Sequence, residues 1–230
     1  LIHGADGAKL SKRHGATSLF DYHNLGYTSE AMFSYLLQLG WSAKNEKDYS
    51  MDRAIKLFTL ENVNKSPAKF DLKKLKNINA KKLNSMNLNE VLNLVINRFN
   101  LSLNNEEEKR FKCLLPALLK RVQVYTDLQD EFDWIFGKNF FCKDKNFQLQ
   151  LQKNYLMLKE IGSLLKKCEW STENIKHCLN HYIVENSLTF KDIGPVLRMA
   201  LTGKTNSPDL ISIIYELGCT ITVNRLNYKY

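Results

Sequence analysis

The stretch Leu149–Lys167, LQLQKNYLMLKEIGSLLKK, decides the fold class of this 230-residue chain. It is long and amphipathic, with apolar residues at helical spacing between lysines and glutamines, which predicts a helix over the whole of it. Similar patterns lie on both sides. Towards the C-terminus, Ser171-Thr172-Glu173-Asn174 is a capping sequence for a helix to about Asn186. Ile193–Thr202 and Pro208–Gly218 are two more helices, the second closed by Gly218 at a C′-like position. Towards the N-terminus, Leu128–Phe136 and Leu88–Phe99 read as helices, and Pro116 marks the first turn of a helix carrying Leu118 and Val122. Phe140-Phe141 falls in a connection. Further back, Phe70-Asp71 opens a helix through Leu72 and Leu75, after a break at Pro67. Ser50-Met51-Asp52-Arg53 starts another, with Ile55, Leu57 and Phe58 as candidate buried positions. Thr28 or Ser29 caps a helix that runs to Gly40. Strand signals are nearly absent, and Cys219–Val223 is a short β-branched run without a partner. The chain is expected to be mainly α.

Composition fits this picture. Four prolines and ten glycines leave long uninterrupted elements, and 44% hydrophobic with 25% charged residues is the balance of a soluble globular protein. No stretch approaches the ~18 consecutive apolar residues of a membrane-spanning helix. The start, Leu1-Ile2-His3-Gly4, lacks a methionine and the build of a signal peptide, and is read as a cut end. Five scattered cysteines argue for a reducing cytoplasm rather than a disulfide framework. The net charge is +9, and residues 1–88 hold most of the excess, with 14 Lys/Arg against 8 Asp/Glu. Such an excess favours a polyanionic partner, although many basic proteins bind no nucleic acid.

Lys9-Leu10-Ser11-Lys12-Arg13-His14-Gly15-Ala16 carries the chemistry. It gathers two ammonium groups, a hydroxyl and a guanidinium between small residues at Gly7, Ala8, Gly15 and Ala16. A loop closing over a triphosphate needs these groups, because compact positive charge stabilises leaving phosphate oxygens and small flanks let the backbone move. From composition alone, a solvated basic loop is the alternative.

Lys9–Arg13 resembles the KMSKS signature of class I aminoacyl-tRNA synthetases, in the KLSKR form followed by His-Gly-Ala typical of the bacterial-type glutamyl-tRNA synthetases. The resemblance continues in order along the chain. It runs through Tyr22, Gly26-Tyr27, Leu39-Gly40-Trp41-Ser42, Ser66-Pro67-Ala68-Lys69-Phe70-Asp71 and Leu115–Thr126. Gly194-Pro195-Val196-Leu197-Arg198 through Gly203, with Ser207-Pro208-Asp209-Leu210, completes it up to what is read as the natural terminus.

This resemblance implies a small α/β stem-contact region that includes the KMSKS loop (residues 1–88). Two helical anticodon-binding subdomains (89–145 and 146–230) are implied to follow. It implies attachment of glutamate to tRNA-Glu in two ATP-dependent steps by the full-length enzyme, with ATP and Mg2+ as its cofactors and tRNA-Gln left open as a second substrate. Lys12 is implied to meet the ATP phosphates, with Lys9 and Ser11 in support and Leu10 and Arg13 completing the loop. The HIGH motif, the glutamate pocket and the nucleotide-binding sheet are not found. No complete catalytic set is therefore expected, no cofactor is expected bound, and the chain alone is expected to be inactive. The resemblance places Arg121, Gln123 and Tyr125 where the family reads anticodon bases; arginine and glutamine suit base edges and tyrosine suits stacking, while Arg121 and Tyr125 suit packing or a salt bridge equally well. Arg198, Thr202, Lys204 and Thr205 form a second candidate cluster. Lys73, Lys74, Lys76, Lys81 and Lys82 suit phosphate contact or, equally, a solvated helix face. A cytoplasmic monomer is expected.

His177 and His181 stand one turn apart with Cys168 nearby, but no CxxC pair or fourth ligand accompanies them, so no metal is expected. The alternative to the synthetase reading is a standalone helical RNA-binding or protein-interaction module without catalysis.

Overall fold

A computed structural model describes residues 2–4, 6–11, 18–43, 49–137 and 140–230. The chain is mainly helical, and it divides into two compact units. The first comprises residues 1–101 and 119–128, the second residues 102–118 and 129–230.

In the first unit, β1 (Ile2–His3) pairs in parallel with β2 (Ala68–Lys69), in the register Ile2 to Ala68 and His3 to Lys69. Helices α1 (Leu19–Asn24), α2 (Ser29–Gly40), α3 (Met51–Leu57), α4 (Leu72–Ser85) and α5 (Leu88–Phe99) surround this short ladder in sequence. Side-chain caps start most of them. Ser18, Thr28, Ser50 and Asp71 each accept from a backbone N–H of the first turn, satisfying one of the donors that a helix leaves open there. Helix α2 packs on α4. Between them lies an aromatic core of Tyr22, Tyr27, Met32, Tyr35 and Leu75, with Phe70 edge-on to Tyr35. A second cluster joins Trp41, Tyr49 and Ala54. Here the expected core of α3 is corrected. Ile55 is 69% and Phe58 49% exposed, while the small Ala54 is buried. With only seven residues, α3 turns one narrow stripe inward, and Ala54 occupies it.

The second unit contains α6 (Asn105–Leu119, its last residue excepted), α7 (Phe132–Phe136), α8 (Lys145–Lys153), α9 (Tyr155–Lys167), α10 (Thr172–Glu185), α11 (Phe190–Thr202) and α12 (Leu210–Leu226). Helix α12 is the hub, packed against α9, α10 and α11. Leu158, Ile161 and Leu165 of α9 face inward, as do Leu197 and Leu201 of α11 and Ile213, Ile214 and Leu217 of α12. Gly162 of α9 faces Leu226 of α12, where an added Cβ would make ordinary contact at 3.5 Å.

Three sequence expectations fail here for physical reasons. Leu149–Lys167 is two helices broken at Asn154, whose side-chain amide turns back to donate to Gln150 O at 2.8 Å. The Asn154 backbone N–H donates to the same carbonyl at 3.1 Å, and its φ of −101° and ψ of 13° take the chain out of the helical range there. Cys219–Val223 is helical, as the second half of α12 beyond an interruption at Gly218. Pro116 lies inside α6, eleven residues after its start at Asn105, and not in a first turn. Its ring nitrogen has no hydrogen to give Lys112 O, and the residue is exposed. Pro116→Ala is therefore expected to raise the stability of the second unit by about 1–3 kcal/mol. The check is a chemical-denaturation midpoint, and an unchanged or lower midpoint would contradict this.

Candidate nucleic-acid interface

The chain leaves α6 through an exposed turn at Lys120 and Arg121 and enters a 3-10 segment at Tyr125. Within the first unit this short loop is tied down along its length. The backbone N–H groups of Gln123 and Val124 both donate to Asp127 Oδ2, at 3.3 and 3.4 Å. Tyr125 N donates to Gly26 O at 3.2 Å, and Thr126 Oγ1 donates to Leu25 O at 2.7 Å. Gly26 makes this approach possible. Its φ is +90°, and a Cβ added there would lie 2.6 Å from Thr126 Oγ1.

On that fixed backbone, Arg121 and Gln123 are exposed, and neither side chain has a hydrogen-bond or ion-pair partner among the described residues. A guanidinium and a carboxamide held this way are free to meet the edges of unpaired bases. Tyr125 differs. Its ring is 2% exposed, its hydroxyl donates to His23 O at 3.4 Å, and burial pushes its phenol pKa up. A buried ring offers no face for a base, so the stacking expectation gives way to an anchoring contact.

The lysines of α4 divide by face. Lys73, Lys74 and Lys81 are exposed, opposite the buried Leu75, Asn79 and Leu83, while Lys76 and Lys82 are half-buried. Near the N-terminus, Gly4 N donates to Ala8 O at 2.8 Å and Leu10 N to Ile2 O at 2.9 Å, which folds a tight reversal around Gly7. Lys9 is exposed on it, and Leu10 and Ser11 are half-buried. Lys12 and Arg13 lie outside the described residues.

In the second unit, Arg198, Thr202 and Lys204 gather at the C-terminal end of α11. Thr202 is 3% exposed, and its Oγ1 donates to Arg198 O at 2.8 Å and accepts from Lys204 N at 3.2 Å. This hydroxyl closes the helix end, where Gly203 adopts a left-handed φ of +67°. Lys204 Nζ reaches Glu131 at 2.8 Å and is partly buried. Arg198 is half-buried and has no polar side-chain partner among the described residues. It is thus the cation of the cluster without such a partner among the described residues, and Thr205 is exposed.

Two buried groups have no counterpart in the sequence reading. Asn79 is 0% exposed and links α4 to the 121–126 loop, with Nδ2 2.6 Å from Gln123 O. Arg225, 4% exposed, donates to Leu201 O, Trp134 O and Gly137 O at 2.6, 2.8 and 3.1 Å. Asn79 sits at a core spacing on α4, which was a usable signal; a polar residue there must find partners. His177 and His181 have ring centroids 6.4 Å apart, and His181 pairs with Glu185 at 3.2 Å. Among the described residues no three His, Cys, Asp or Glu side chains converge as metal ligands.

Residues 88–229 match the anticodon binding domain family, and residues 1–77 match the class I tRNA synthetase (E and Q) catalytic domain family. Glutamate–tRNA ligase 1 of Hyphomonas neptunium is 35% identical over 99% of this chain and 48% of its own length. Glutamate–tRNA ligase 1 of Bartonella henselae is 34% identical over 99% of this chain and 49% of its own length. Among solved structures, a glutamate tRNA ligase from Elizabethkingia meningosepticum, in complex with its amino acid, superposes with a TM-score of 0.81. It is 25% identical, over 99% of this chain and 49% of that one. The chain thus spans about half the length of the relatives it matches.

Proposed function

Because the chain belongs to the class I glutamate–tRNA ligase family, corresponding to its C-terminal half, with the tail of the catalytic domain and the anticodon-binding domain, we propose that it supplies tRNA recognition to a glutamate–tRNA ligase. The whole ligase joins glutamate to tRNA-Glu at the expense of ATP. The observation that carries this reading is the pair of exposed side chains at Arg121 and Gln123, without polar partners among the described residues, on a loop of the matched domain fixed by hydrogen bonds of its own and by three more to Leu25, Gly26 and Asn79. A rigid backbone with free polar ends suits an unpaired anticodon, because little ordering remains to be done on binding.

Arg198 provides a second contact from the end of α11, and Thr202 and Lys204 hold that end in shape. Residues 1–88 form the stem-contact region, and residues 89–145 and 146–230 the two anticodon-binding subdomains. The exposed lysines of α4 contribute phosphate contacts that set affinity without reading sequence. Lys9, Ser11 and Lys12 would place positive charge and a hydroxyl on ATP in the whole ligase, flanked by Leu10 and Arg13. Mg2+ would arrive on the phosphates. The reversal at Lys9 carries one carboxylate, Asp6, already accepting from Ala8 N at 3.0 Å, so it presents no carboxylate pair for an ion. The ligase works in the cytoplasm as a monomer. No helix among the described residues is long and apolar enough to cross a membrane.

The 230-residue chain is expected to bind tRNA-Glu with strong salt dependence and to show no glutamate-dependent ATP–pyrophosphate exchange. Arg121→Ala with Gln123→Ala should weaken binding by about tenfold or more, measured by fluorescence anisotropy with tRNA-Gln and an unrelated tRNA alongside. Equal affinity for all three tRNAs at moderate salt would sink the anticodon assignment.

A further inference from the structure

Four consecutive carbonyls, at the end of α1 and in the turn after it, accept hydrogen bonds from three other segments. His23 O takes the Tyr125 hydroxyl at 3.4 Å, and Asn24 O takes Arg98 Nη2 at 3.0 Å. Leu25 O takes Thr126 Oγ1 at 2.7 Å, and Gly26 O takes both Tyr125 N at 3.2 Å and Asn79 Nδ2 at 3.4 Å. Asn79 is the member of this set that also reaches the exposed part of the loop. Its Nδ2 spans Gly26 O and Gln123 O, while its Oδ1 accepts from Thr28 N at 2.9 Å and Thr28 Oγ1 at 3.2 Å. That accounts for both donors and both lone pairs of a carboxamide. The orientation is unambiguous, since Thr28 N only donates and Gln123 O only accepts. The two bonds to Gly26 O and Gln123 O give one rigid group simultaneous hold of the turn after α1 and of the residue whose side chain faces outward.

We propose that Asn79 is a positioning residue for tRNA recognition, holding the backbone of residues 121–126 so that Arg121 and Gln123 meet the bases in a fixed geometry. The proposal rests on the reading of those two side chains as tRNA contacts. An asparagine there does what neither an apolar residue nor a carboxylate does. An apolar residue leaves Gln123 O and Thr28 N without partners inside the core. A carboxylate satisfies Thr28 but faces Gln123 O with no hydrogen to give.

Asn79→Asp separates this role from general scaffolding, because its protonated form regains a donor. In the full 230-residue chain at about pH 8 the variant should bind tRNA-Glu about tenfold more weakly than the wild type. At about pH 5, where burial favours the neutral carboxyl, the deficit relative to wild type at the same pH should shrink to about threefold or less. In the Arg121→Ala, Gln123→Ala background the effect of Asn79→Asp should largely vanish, since Asn79 acts through those two contacts. Thr126→Val, which removes only the bond to Leu25 O, should weaken binding by about threefold, and it keeps the test alive if Asn79→Asp fails to fold. If Arg121→Ala and Gln123→Ala weaken binding but folded Asn79→Asp does not, or shows no recovery at low pH, the positioning role is wrong. The same holds if Asn79→Asp fails to fold and folded Thr126→Val binds like wild type. If Arg121→Ala and Gln123→Ala leave binding unchanged, the underlying reading fails instead.

Discussion

Arg225→Met is expected to destabilise the second unit by about 3–5 kcal/mol, seen as a large drop in its urea midpoint. The guanidinium is almost fully buried and serves three carbonyls belonging to two helix ends. Trp134 O and Gly137 O lie at the C-terminal end of α7, and Leu201 O lies in the last turn of α11. Helix C-termini present unpaired carbonyls and the negative end of the macrodipole, so a fixed cation there satisfies both at once. The ring of Phe140 lies 4.6 Å below the guanidinium carbon and adds a cation–π contact. Burial, and then the charge of nearby Arg110, push the Arg225 pKa down to about 10, which leaves it charged at neutral pH. Methionine fills much of the volume, yet it takes the guanidinium from Leu201 O and Trp134 O in the core, while Gly137 O keeps Phe140 N at 3.3 Å, and that asymmetry dominates the cost. Arg225→Lys should recover only part of the loss, because one ammonium cannot span the fork of carbonyls. An Arg225→Met midpoint within experimental error of wild type would refute this account.

Gly26→Ala should be the most damaging single-carbon change in the first unit, costing about 2–4 kcal/mol. The backbone at φ +90° is one that L side chains rarely adopt, and the new methyl would meet Thr126 Oγ1, N and Cγ2 at 2.6, 2.8 and 2.9 Å. The backbone nitrogen cannot rotate away, so the 121–126 loop must lift. Loss of stability and loss of tRNA affinity should therefore appear together. Calorimetry paired with anisotropy checks this, and a folded Gly26→Ala chain of normal stability would contradict the packing described.

What the sequence made legible was local. Thr28, Ser50, Asp71 and Ser171 announce helix starts because the capping oxygen and the N–H it accepts from are three residues apart. The span of α5 and the end of α11 at Thr202 were readable from runs of apolar residues at helical spacing. Asn154, Pro116 and Ile55 were not, because periodicity cannot tell a helix from two in line, nor which side of a short helix has a neighbour. The KLSKR loop and the two candidate clusters were visible through resemblance. That Arg121 and Gln123 lack polar side-chain partners among the described residues was not legible, and the burial of Tyr125 and Thr202 goes with contacts some 100 and 4 residues away respectively. Asn79 and Arg225 act across 44 and 91 residues, on carbonyls that any residue could have supplied.

Gly218 has a consequence for how Arg225 reaches its place. Its φ of +79° and ψ of +161° interrupt α12, and an added Cβ would meet nothing within 4 Å, so space is not what favours glycine there. Before it, Leu210, Ile213, Ile214 and Leu217 are buried; after it, Thr222, Val223, Arg225 and Leu226 are. On one straight helix at 100° per residue, these two sets would point roughly 150° apart. The interruption resets the rotational phase, so that a single segment turns two nearly opposite stripes toward the same interior. Deleting or inserting one residue between Gly218 and Arg225 would swing the guanidinium by roughly 100° and off its carbonyls. Spacing along the chain, together with the identity of Arg225, is the constraint this part of the protein carries.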